Sequence, residues 1–98
     1  MTIQKFAENN EVKFALEGRL DTITAPELEA ALKDSFEGTT SLILDFEKLE
    51  YISSAGLRVL LSAQKVMSKQ GTMKIVNVND IIMEIFEVTG FSDILTIE

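Results

Sequence analysis

The sequence predicts an α/β fold, a mixed β-sheet of four to five strands packed with three or more helices in the order β-β-α-β-α-β-α. Three observations predict it. Val12, Phe14 and Leu16 alternate with Lys13, Ala15 and Glu17, the period of a strand with one apolar face. Leu28, Ala31, Leu32 and Phe36 recur at the helical period instead. Short apolar strand-like runs and helical patterns then take turns along the chain, which implies parallel crossover strands with helices packed on the sheet.

The elements follow in order. Ile3 to Ala7 reads as a short strand, and Glu8-Asn9-Asn10-Glu11 as a turn, because Asn tolerates positive φ. With Val12 to Glu17 they form a hairpin whose second strand ends at Gly18. Thr24-Ala25-Pro26-Glu27 matches a capping box, in which Thr24 accepts from a free backbone N–H and Glu27 reaches back. Proline is tolerated in that first turn, where its missing N–H has no helical partner. Leu28, Ala31, Leu32 and Phe36 share one helical face, and Gly38 ends the segment.

Leu42-Ile43-Leu44 is a continuous apolar run, expected to be an interior strand covered on both faces, with Asp45 at its end. Glu47 to Ile52 reads as a loop leading to Ser53-Ser54-Ala55-Gly56, where a helix begins and runs to about Lys69 before Gly71. Met73 to Val78 is a strand. Asn79 or Asp80 caps a short helix with Ile82, Ile85, Phe86 and Thr89 on one face, stopped by Gly90. Ile94 to Ile97 leaves room for a last strand.

Composition bounds the function. The 98 residues suit one domain, residues 1–98, with one core, and 46% hydrophobic with 26% charged residues is the balance of a folded chain. A net charge of −7 argues against direct DNA or RNA binding, which needs clustered Lys and Arg. With no cysteine and no histidine, the chain has no disulfide, no thiolate or imidazole metal site and no common general base, so neither a metal nor a cofactor is expected. Met1 to Asn10 carries Lys5 and Glu8 and lacks the apolar core of a signal peptide. No apolar run approaches the roughly 20 residues needed to span a bilayer. A cytoplasmic location without membrane insertion is therefore expected.

The informative stretch is Leu42 to Leu61, LILDFEKLEYISSAGLRVLL, which places two serines at a helix start. Serine is a preferred N-cap, so one of them can be there for structure alone. The same geometry suits a modification site. A helix N-terminus carries free N–H groups and positive partial charge, so a phosphate on Ser54 would be tolerated by the fold. Small Ala55 and Gly56 leave that hydroxyl accessible. On the following helix Leu57, Val59, Leu60, Leu61, Ala63, Val66 and Met67 cover more than half the circumference, with Val59 and Val66 at the edge of the arc. Arg58, Ser62, Lys65 and Lys69 share the polar arc, where Arg58 and Lys65 either meet an acidic partner or face solvent.

DFEKLEYISSAGLRVLL resembles the signature of the STAS domain, as found in anti-sigma factor antagonists. GRLDTITAPELEAAL resembles that family's first-helix segment, and DIIMEIFEVTGF its terminal helix. Together they cover nearly the whole chain in the family's order. The resemblance implies a non-catalytic, STAS-like domain that regulates transcription by partner switching. In that family an anti-sigma factor that is a serine kinase phosphorylates a serine at the helix start. The unphosphorylated antagonist binds the kinase and frees sigma factor, the phosphorylated one lets go, and a serine phosphatase resets it. The matching serine is Ser54, with Ser53 as second choice, because the family often has Asp where this chain has Ser53. Asp21 matches an acidic residue near the phosphoacceptor, serving either kinase docking or a turn. The implied partner-binding residues are Asp21, Thr22, Ser53, Ser54, Ala55, Gly56, Arg58 and Val59.

Two other readings stand beside it. A serine hydrolase is disfavoured, because no G-x-S-x-G surrounds Ser54 and no histidine exists to act as base. Asp21, Asp45 and Glu50 are better read as surface acids than as an acid–base pair. The remaining alternative is a STAS scaffold or adaptor in a signalling assembly or beside a membrane transporter, without phosphorylation control.

Overall fold

The computed structural model describes residues 1–98. Strand β1 (Thr2–Glu8) turns through Asn9, which takes φ +55°, into β2 (Glu11–Leu20), and the two pair antiparallel. Helix α1 (Ala25–Lys33) carries the chain to β3 (Ser41–Ile52), parallel to β2. Helix α2 (Ser54–Gln70) then leads to β4 (Thr72–Val76), parallel to β3, and α3 (Asp80–Thr89) follows. The sheet order is β1-β2-β3-β4. A 3-10 turn at Phe91–Asp93 occupies part of the tail, and residues 94–97 make no fifth strand. Ile97 forms only an isolated bridge to Ile75. No helix is long and apolar enough to cross a membrane.

Sheet order and chain order coincide from β2 to β4, so two crossovers of the same hand put α1 and α2 on the same face. The burial pattern agrees. Val12, Phe14 and Leu16 on β2, Leu42, Leu44 and Phe46 on β3, and Met73 and Ile75 on β4 are buried in one core with Leu28 and Leu32, Leu60 and Met67, and Ile82 and Phe86 of the three helices. The rings of Phe46 and Phe86 lie 6.4 Å apart across it. The alternate residues Lys13, Ala15, Ile43, Asp45, Lys74 and Val76 are only half-buried. The expectation that β3 is covered on both faces is thus corrected. Leu42 and Leu44 point into the core, and Ile43 lies on the opposite, uncovered face.

Three further expectations change. Residues 47–52 are strand rather than loop, and Asp45 sits inside β3 rather than at its end. The pairing steps from Ala15↔Asp45 to Glu17↔Lys48, and from Gly18↔Leu49 to Arg19↔Tyr51. At each step β3 has one residue more than β2. These two bulges break the period-two pattern and disguise the strand as a polar loop. Gly18, with φ +105°, lies between the two steps, a conformation that favours glycine, and β2 continues past it to Leu20. Helix α1 stops at Lys33, well short of Gly38. Asn79 caps α3 as expected, its Oδ1 accepting from Ile82 N at 2.8 Å.

Candidate functional site

Parallel β2 and β3 end side by side, Leu20 paired with Ile52. The chain leaves β2 into the loop 21–24 and leaves β3 into α2, so that loop and the start of α2 meet at the carboxyl edge of the sheet. In parallel sheets this is where helix N-termini gather. Ser53 N donates to Leu20 O at 2.9 Å and ties the two exits together.

The loop is built around Asp21. Its Oδ1 accepts from Ile23 N at 3.0 Å and Thr24 N at 3.1 Å. Thr24 Oγ1 accepts from Asp21 N at 2.9 Å and donates to Arg19 O at 2.7 Å. The capping box expected at Thr24 is therefore not formed. Thr24 has helical dihedrals and makes no side-chain cap bond to α1, because its hydroxyl is already spent on the loop. The Thr24 amide, joined by that of Ile23 and by the Arg19 guanidinium 4.0 Å away, holds the Asp21 carboxyl below its usual range. Arg19 also stacks 4.5 Å from the centre of the Tyr51 ring, linking the ends of β2 and β3. The structure thus gives Asp21 its turn-capping role.

The two serines differ. Ser53 is the N-cap of α2 with extended dihedrals, φ −100° and ψ 177°, and its carbonyl accepts from Leu57 N at 3.0 Å. Its hydroxyl makes no cap bond; Ser53 Oγ is enclosed without a hydrogen-bond partner. Ser54 is the first helical residue and is exposed. No acidic residue lies in that first turn.

Gly56 fixes how close the turn comes to the sheet. A Cβ on it would stand 2.7 Å from Leu20 Cγ and 2.8 Å from Ile52 Cγ1, both in fully buried side chains. Only glycine lets the helix start rest on both strand ends.

Of the candidate partner-binding residues, Thr22, Ser54 and Arg58 are exposed, and Asp21, Ser53 and Ala55 are half-buried. Gly56 is buried, and Val59, expected at the edge of the arc, is only 7% exposed. The reason for Val59 is α1. A groove between the helices, walled by Thr22, Pro26, Glu29, Ala55 and Arg58, has Val59 as its floor. Sequence reasoning passed over Ile23, which is 84% exposed on the Asp21 loop. Its signal was an isoleucine between two threonines in a segment with no strand or helix period. Asp45 lies apart, on the uncovered face of the sheet. Its Oδ1 accepts from Asn77 Nδ2 and Glu47 N, both at 3.0 Å, and Lys13 Nζ stands 3.6 Å from Oδ2.

The family model described as STAS domain matches residues 3–98. BtrV of Bordetella bronchiseptica is 37% identical over 84% of this chain and 72% of its own length. The anti-sigma-B factor antagonist of Bacillus subtilis is 29% identical over 90% of this chain and 82% of its own. Among solved structures, the anti-sigma factor antagonist SpoIIAA in its unphosphorylated form has a TM-score of 0.78 at 19% identity, covering 99% of this chain and 87% of SpoIIAA. The phosphorylated form of Bacillus SpoIIAA gives 0.77 at 19% identity, covering 99% of this chain and 91% of that one. At such identities these structures show a common fold.

Proposed function

This chain belongs to the STAS domain family, among the anti-sigma factor antagonists, and from that premise we propose that it is a partner-switching regulator whose switch is the hydroxyl of Ser54. Unmodified, it binds an anti-sigma factor that is also a serine kinase, and sigma factor is released. The kinase transfers the γ-phosphoryl group of ATP to Ser54 Oγ, leaving ADP and the hydroxyl proton. The phosphorylated chain dissociates, and a serine phosphatase hydrolyses the ester to restore the hydroxyl.

One observation carries the choice of residue. Of two adjacent serines at the start of α2, Ser54 is exposed while Ser53 Oγ is enclosed. A kinase needs the acceptor oxygen in line with the phosphoryl donor, and an enclosed oxygen cannot be reached without opening the helix start. The physics of the switch follows from the same position. A phosphate adds about −1.5 to −2 charges, which the field of a helix N-terminus favours. The same charge and bulk inside a docked interface meet desolvation and steric cost. The fold therefore accepts what the complex does not. Loop 21–24, stiffened by the Asp21 and Thr24 bonds, adds the exposed Thr22 and Ile23 to a docking surface that also takes in Arg58.

Incubation with the cognate kinase and ATP is expected to add one phosphate, found on Ser54 by mass spectrometry. Ser54→Ala abolishes it and keeps kinase binding. A phosphate that persists in Ser54→Ala and disappears in Ser53→Ala overturns the assignment. The scaffold alternative requires that phosphate on Ser54 leave partner affinity unchanged.

A further inference from the structure

Arg58 follows Ser54 by four residues on α2. On an α-helix that spacing puts two side chains on one face with Cβ atoms about 5–6 Å apart. Both are exposed. Arg58 takes part in none of the four ion pairs of the chain. The nearby acids are otherwise engaged. Glu29, on the opposite wall of the groove, is 3.6 Å from Lys33, and the Asp21 carboxyl is held by its own loop. The first turn of α2 contributes no carboxylate that would compete with a phosphate or repel it.

We infer that Arg58 is the intramolecular receptor for a phosphate on Ser54, gripping it from the i+4 side while the helix N-terminus draws it from the other. A guanidinium offers two parallel N–H donors to two phosphate oxygens, a stronger match than a lysine ammonium makes. This assignment rests on the reading of Ser54 as the modified serine and deepens it. In the unmodified chain Arg58 is free to meet an acidic group of the partner. Once Ser54 carries phosphate, the same guanidinium turns inward along its own helix. Modification then acts twice, by adding a dianion to the interface and by withdrawing a cation from it.

The test installs phosphoserine at position 54 during translation, so that no kinase is needed, and follows the phosphate by phosphorus-31 NMR against pH. The second ionisation of a phosphoserine lies near pH 6 in the absence of partners. With Arg58 in place it is expected about half a unit lower than in Arg58→Gln, the size of a helical ion pair strengthened by the dianion. Arg58→Lys falls between, since the charge remains and the fork is lost. Salt at about 1 M narrows the gap, as screening of an exposed pair requires. Coincident titrations of the wild type and Arg58→Gln overturn the assignment. They leave the switch reading standing, because that reading fails only if the kinase does not modify Ser54 or if modification leaves affinity unchanged.

Discussion

Gly56→Ala is the sharpest probe of how the site is built. The added Cβ would lie 2.7 Å from Leu20 Cγ, 2.8 Å from Ile52 Cγ1 and 3.0 Å from Leu20 Cδ2. Neither neighbour can swing away, since Leu20 is 0% and Ile52 1% exposed. Overpacking of a filled core costs about 1–3 kcal/mol, and two immobile neighbours place this case at about 3. Alanine recovers about 1 kcal/mol in helix propensity over glycine. The net expectation is a loss of about 2 kcal/mol. For 98 residues the unfolding entropy is about 0.2 kcal/mol per kelvin, so the melting temperature falls by about 10 °C. Thermal and urea unfolding read this directly, with Ser62→Ala as the matched control on the exposed face of α2, where helix propensity makes the change neutral or slightly stabilising. If Gly56→Ala is as stable as the wild type, α2 does not rest on the strand ends as described, and the placement of Ser54 loses its basis.

Other substitutions test neighbouring parts. Ser53→Ala is expected to leave the urea midpoint unchanged or to raise stability by up to about 1 kcal/mol, because it removes an enclosed hydroxyl that has no partner. A loss above about 1 kcal/mol, the usual cost of deleting an N-cap side chain, would show that the hydroxyl does cap α2. Asp45→Ala removes the acceptor of Asn77 Nδ2 and Glu47 N, donors that water can then reach, and should cost about 0.5–1.5 kcal/mol in urea unfolding at neutral pH. Asp45 also shapes the acid limb. Burial raises its carboxyl, but the Asn77 and Glu47 hydrogen bonds and the Lys13 ammonium outweigh that and hold it below its usual range. A depressed folded-state value gives stability that is present above the unfolded value, near pH 4, and is lost as pH falls from there through the folded value. Asp45→Asn should therefore lose less stability between pH 4 and pH 2 than the wild type, and equal losses would contradict the account. Ile23→Ser should leave the melting temperature unchanged, since the side chain is 84% exposed, while weakening the anti-sigma partner's binding in calorimetry. Unchanged affinity would remove Ile23 from the docking surface.

Much of this was legible in the residues, and the misses have physical causes. The alternation of Val12, Phe14 and Leu16 faces one core, as a period of two demands. The start of α3 could be read to within one residue, Asn79 or Asp80, and the structure gives the cap to Asn79, whose Oδ1 accepts from Ile82 N. Thr24 was misjudged as a cap because the rival partner, Arg19 O, is five residues upstream and comes into reach only when Asp21 closes the loop. The second half of β3 was hidden by two bulges: the first puts Leu49 out of phase with Leu42, Leu44 and Phe46, the second returns Ile52 to their phase, and all five stay in the core. Ile43 was misplaced because an apolar run says nothing about which face is covered. At the site, the serine pair and its helix could be read from ISSAGL. The difference between an enclosed Ser53 and an exposed Ser54 could not, since it depends on how tightly Gly56 seats the helix on Leu20 and Ile52.

The central claim, that one hydroxyl decides whether the partner stays, is tested most directly by titrating the cognate anti-sigma factor with the unmodified chain and with the chain carrying phosphoserine at position 54, under identical salt. The account predicts an affinity for the modified chain lower by about 100-fold or more, as a dianion buried against a docked surface requires. Equal affinities would contradict it.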